Sequence, residues 1–205
     1  MRCRAEEEVL STSILAPVVA RRAAEIAAKV EIGEPARALL RPDMTPGQFL
    51  DLLIQKDHLA DAVRFLASAL TKFEAVWWGI QSARATAVPP AVLPPKQVAA
   101  LTAAEKWLQD PSEDNRRAAL PAALEAGTPT PGSLVAIGVF YSGGSLAPAS
   151  VPTVPAGEHL TAAMIAGAVI QAAYGDADKA KERLKAFLTK GGEIANGLSR
   201  WPPRT

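Results

Sequence analysis

The sequence predicts an all-α protein, a single compact bundle of about eight helices built around two buried apolar helices over 131–141 and 160–174. Three observations predict it. Alanine is abundant and runs of β-branched residues are scarce, which favours helix over sheet. Apolar residues recur at three- and four-residue spacing along most of the chain. Gly and Pro gather between those periodic segments, where they break helices. At 205 residues and 49% apolar content the chain can bury a sizeable core. Residues 1–16 read as a flexible N-terminus and 17–205 as one helical domain.

In chain order, 17–30 is expected to be helical with Ala23, Ile26 and Val30 inward, and Gly33 ends it. A short helix over 34–40 follows, stopped by Pro42. Thr45-Pro46-Gly47-Gln48 is a capping box with Pro at the first helical position. Gln55-Lys56-Asp57 turns the chain, and Leu59, Ala62, Val63, Leu66 and Leu70 then mark one face of the next helix. Thr71-Lys72-Phe73-Glu74 is a second capping box, opening a helix whose apolar stripe is Phe73, Val76, Trp77 and Ile80. Trp78 lies about 100° round from Trp77. Trp77 is therefore expected in the core, and Trp78 either more exposed or packed on the 96–109 helix.

Residues 85–95 are rich in Pro and uncharged, a stiff connector. The 96–109 helix should turn Val98, Leu101, Ala104 and Leu108 inward. Asp110-Pro111-Ser112-Glu113 reads as a helix start capped by Asp110, with a kink or restart at Pro121 and an end at Gly127. Thr130-Pro131 opens the first apolar helix, in which Gly138 would let a neighbour come close. Residues 142–157, with Pro148, Pro152 and Pro155, form a loop long enough to be functional. After 160–174, the helix over 178–189 is basic, and Gly191-Gly192 should separate it from a short final helix near Trp201.

Charge and chemistry exclude more than they identify. With 22 basic and 21 acidic residues the net charge is +1, so nothing draws the chain to nucleic acid or an anionic membrane. The longest uncharged helical run is shorter than the ~20 residues of a membrane span. One cysteine, Cys3, makes neither an internal disulfide nor a metal set. Glu6, Glu7 and Glu8 spoil a signal-peptide n-region, and the expected compartment is the cytoplasm. His58 and His159 stand in no ligand spacing and read as cap or surface residues. Ser142-Gly143-Gly144-Ser145 is a Gly/Ser turn rather than a nucleophile elbow, and no nucleotide motif is present, so no cofactor is implied. Arg116-Arg117 and the cations of 179–190 read as a solvated side.

The strings Met44-Thr45-Pro46, 59–66 (LADAVRFL), Glu74-Ala75-Val76-Trp77-Trp78, 110–117 (DPSEDNRR) and 141–148 (YSGGSLAP) together resemble an uncharacterised all-helical family of proteobacteria, a domain of unknown function. The resemblance runs from about residue 30 onward, without the basic C-terminal helix. It implies an accessory component of the kind found near type VI secretion genes, and it brings no catalytic residues with it.

The expected function is therefore that of a non-enzymatic protein-binding module, an adaptor or chaperone-like protein whose partner is a secretion effector or structural component. The candidate partner-binding residues are Trp78, Tyr141, Ser142, Gly143, Gly144, Ser145, Leu146, His159 and Trp201. A toxin-neutralising immunity protein belongs to the same binding class. The rival from another class is an enzyme whose site gathers Tyr141, Ser142, Glu158 and His159 at the 141–159 loop, and it requires those four side chains to converge in a deep pocket.

Overall fold

A helix with no polar face must be enclosed by others, and two such helices set the plan of this chain. The computed structural model describes residues 22–86, 92–127, 129–148 and 150–201. The expectations for 1–16, for the start of the first helix and for the middle of the 85–95 connector fall outside them.

The described residues form α1 (Ala23–Ala27), α2 (Glu34–Arg37), α3 (Pro46–Gln55), α4 (Leu59–Ala69), α5 (Lys72–Arg84), α6 (Pro95–Gln109), α7 (Glu113–Ala126), α8 (Pro131–Phe140), α9 (Leu160–Tyr174) and α10 (Ala180–Ala195), with a 3-10 turn over Ala177–Lys179. No strand occurs among them, only an isolated antiparallel bridge between Ser145 and Pro155. The protein is all-α. The two apolar helices, α8 and α9, pack on each other, and α5 lies across both. Helices α6 and α7 cover α8, while α4 and α10 cover α9. Close approach at the centre depends on two glycines. A Cβ on Gly79 of α5 or on Gly138 of α8 would stand 3.1 Å from Ile165 Cδ1 of α9.

The capping boxes at Thr45/Gln48 and Thr71/Glu74 form with both hydrogen bonds in place. A third, Thr130/Ser133, opens α8. The turn at 55–57 is closed by Asp57 in the left-handed region (φ 65°), a conformation that Asp tolerates better than most residues.

Several expectations are corrected. Trp78 is not more exposed than Trp77, and its polar edge meets α10. It is wholly buried, and its indole N–H donates to Phe187 O of α10 at 2.8 Å. Trp77 is only half-buried, and Phe73 is 36% exposed. The reason is that α5 is packed by α6, α8, α9 and α10, so its buried arc is wider than one stripe and runs from Trp78 through Gly79 to Ile80. Val98 is exposed at the outer edge of α6, whereas Trp107 is buried. The cap of α7 is Ser112, which accepts from Asn115 N at 3.4 Å, while Asp110 accepts from the Ser112 hydroxyl. Helix α7 runs through Pro121 with no restart. Helix α10 likewise runs through Gly191-Gly192, because Leu66 and Trp78 press so close that a Cβ on Gly191 would meet them at 2.7 and 2.8 Å. The second helix is shorter than expected, ending at Arg37.

Candidate functional site

The first turn of α7 holds the root of the 142–157 loop. Glu113, Arg116 and Arg117 stand at i, i+3 and i+4 and so share one face of the helix. Glu113 accepts from Arg116 Nε and Nη2, each at 2.7 Å, and from Arg117 Nε at 2.7 Å. Both guanidinium groups also donate to backbone carbonyls at the end of α8 and in the loop. Arg116 Nη1 donates to Phe140 O, and Arg116 Nη2 to Ser145 O at 2.9 Å. Arg117 Nη2 donates to Ser145 O at 3.1 Å and to Ala147 O at 2.9 Å. Arg116 also lies over the Phe140 ring, 4.9 Å from its centroid, a cation–π contact. It is only 3% exposed. This corrects the expectation that Arg116-Arg117 form a solvated side: a buried cation persists because it is paired with a carboxylate and hydrogen-bonded to two backbone carbonyls. The hydrogen bonds from Arg116 and then from Arg117 hold the Glu113 carboxyl down at about 2, against an ordinary 4.5.

The loop is closed on itself as well. The Ser145 hydroxyl accepts from Ala147 N and from Val154 N, both at 3.1 Å, and Leu146 N donates to Val154 O at 2.8 Å. From the other side Lys72, at the start of α5, donates to Ser142 O at 2.7 Å. Gly144 sits where no side chain fits. Its φ is +60°, and a Cβ there would stand 2.7 Å from Glu113 Oε2 and 2.9 Å from Arg116 Nη2.

The sequence-predicted residues divide accordingly. Ser142, Gly143, Gly144, Ser145 and Leu146 make up the anchored root of the loop. Half-buried Tyr141 is the C-cap of α8, its ring 5.7 Å from that of Phe140. Trp78 belongs to the core. Exposed His159 is the N-cap residue of α9. Half-buried Trp201 packs edge-on against Trp77 at 4.7 Å, far along the chain from the loop. Glu158 and His159 line a groove of about 950 Å³ together with Lys29, Leu70 and Lys72, but neither Tyr141 nor Ser142 lies in its wall. The four side chains named for an enzyme are thus not gathered there.

Sequence reasoning missed the residues that matter most to this arrangement. Glu113, Arg116 and Arg117 were visible as a string but not as a clamp, since their acceptors lie more than twenty residues away. The outward part of the loop, 150–155, is exposed at every position, with Val151 and Val154 each 50% exposed. Its only signal was the Val-Pro-Thr-Val-Pro string itself. A second concavity, a cleft of about 410 Å³, has Phe73, Glu74, Trp77 and Trp201 in its wall.

Among the described residues no group of three or more His, Cys, Asp or Glu is placed to share a metal ion. No single helix there is long and apolar enough to cross a membrane. Residues 49–195 match the model of a family of unknown function, DUF6931. The match takes in the basic α10, which the resemblance read from the sequence left out. No curated protein and no solved structure matches the chain.

Proposed function

The chain belongs to the DUF6931 family, and from that premise we propose that it is a non-enzymatic protein-binding module whose binding surface is the outward part of the 142–157 loop. It serves as an adaptor or chaperone-like accessory protein of a bacterial type VI secretion system, working in the cytoplasm on an effector or structural component. The observation that supports this reading is the pairing of order with exposure. The root of the loop is fixed by the carbonyl contacts of Arg116 and Arg117, yet Val151 and Val154 are left half in solvent. A segment ordered before it meets a partner loses less conformational freedom on binding, so more of the contact energy appears as affinity. A near-neutral chain also suits a partner recognised by shape and apolar contact rather than by bulk charge. The resemblance to accessory proteins of secretion gene neighbourhoods supports the class of partner.

The test is capture from native-host lysate on immobilised wild-type protein and on the Val151→Asp/Val154→Asp double variant. A specific protein held by the wild type should fall by about tenfold or more on the variant, as for loss of a central apolar contact. Far-UV circular dichroism of the two should coincide. The reading fails if the folded variant retains every protein that the wild type retains.

A further inference from the structure

We infer that the loop also binds a second copy of this chain, the 151–155 segment of each copy seating in the Phe73/Trp77/Trp201 cleft of the other across a two-fold axis. This rests on the reading of the loop as a binding surface.

The segment is Val151-Pro152-Thr153-Val154-Pro155. Proline fixes φ at 152 and 155. Each valine precedes a proline and is held out of the helical region. Only Thr153 is unrestrained by its neighbours. Extended backbone of this kind turns once every three residues, which puts Val151 with Val154 on one ridge and Pro152 with Pro155 on the next. Two of the three ridges are apolar, and residues 150–155 are all exposed. Segments of this form are taken by grooves lined with aromatic rings. Val154 is already bonded through both N and O to Ser145 and Leu146 inside the loop, so the carbonyl offered to a cleft comes from another residue of the segment.

The same molecule carries such a groove. The cleft beside the start of α5 is walled by Phe73, Trp77 and Trp201, with Phe73 36% exposed. The Trp77 indole N–H is enclosed and has no acceptor among the described residues. Buried donors are rarely left so, and a carbonyl of an incoming proline-rich segment supplies the missing partner. Trp201 stands edge-on to the Trp77 ring on the irregular segment after α10, and it is the group that moves aside.

The root of the loop lies close to the cleft. Lys72, the neighbour of Phe73, donates to Ser142 O at the loop root. Yet no residue of 142–157 lines the cleft, and Arg117 ties the loop to α7 through Ser145 and Ala147. The loop therefore serves another molecule's cleft rather than its own. Two complementary features side by side make a self-complementary patch, and a two-fold axis satisfies both contacts at once.

Analytical ultracentrifugation of the full chain tests this with wild type, Val154→Asp in the loop and Phe73→Asp in the cleft. Both substituted side chains are partly in solvent, and circular dichroism confirms that each variant is folded. The wild type should dimerise reversibly, and each variant alone should dissociate about tenfold or more more readily. An equimolar mixture of the two variants should associate more tightly than either alone and less tightly than wild type, because one of the two contacts is restored. A wild type that stays monomeric up to ~1 mM overturns the proposal, as does a dimer that both variants leave intact. Either result bears only on the second copy. The loop as a binding surface is refuted separately, by retention of captured host protein on the loop variant.

Discussion

Arg116 is a charged residue that gives up almost all contact with water, and the loop depends on how that is offset. Its guanidinium meets one carboxylate, two backbone carbonyls and one aromatic face. Glu113 is the anionic half, and its carboxyl lies at about 2 rather than 4.5. The sign follows from that direction. Because the folded-state value is the lower one, the carboxylate's contribution is fully present above pH 4.5 and disappears as the pH falls toward about 2. Glu113→Gln should therefore destabilise the protein at pH 7 by about 1–2 kcal/mol, less than the ~3–5 kcal/mol of breaking a fully buried pair, since its half-exposed side chain is screened by water. Chemical denaturation of both proteins from pH 7 to pH 2 should show the gap shrinking between pH 4.5 and 2. A gap that is constant over that range would refute the ion pair's role. The sequence hid this residue for a physical reason. Arginine is solvent-exposed by default, and what buries Arg116 is a set of carbonyls from a loop distant in sequence.

At the scale of elements, what the sequence made legible was whatever local chemistry decides. The caps of α3 and α5 needed only four consecutive residues each. The burial of α8 and α9 followed from their lack of a polar face. What it could not reveal was which neighbour fills which side. The partner of Trp78 stays open between solvent and the 96–109 helix because periodicity gives an angle around the helix, not the presence of α10 on that side. Gly191-Gly192 looked like a break because glycine weakens an isolated helix, whereas Gly191 is the point at which α10 closes on Leu66 and Trp78. The two effects compete and can be separated. Gly191→Ala gains about 1 kcal/mol in helix propensity and loses about 1–3 kcal/mol to overpacking, because the Trp78 ring that it meets is fully buried and hydrogen-bonded. Thermal denaturation should show net destabilisation of up to about 2 kcal/mol. A variant more stable than wild type would mean that α10 does not pack so closely there.

At the scale of the whole molecule, the fold class and the enclosed pair of helices were legible because they depend on composition and period. The working surface was only half legible. Length and proline content singled out the loop, but the residues chosen from it, 141–146, form its root, and the exposed crest lies at 150–155. The difference is long-range. The contacts that fix one half and leave the other in solvent come from α7 and from Lys72. Binding, in this account, follows from a loop already ordered when it is alone.

Residue-resolved amide hydrogen exchange on the free protein at pH 7 tests that claim most directly. Leu146 N, Ala147 N and Val154 N each have an acceptor within the loop. They should exchange at least about a hundredfold more slowly than an unfolded chain. Gly144→Ala, whose Cβ would collide with the Glu113–Arg116 pair, should abolish that protection and leave α8 and α9 protected. Exchange of these three amides at unfolded-chain rates in the wild type would contradict the account.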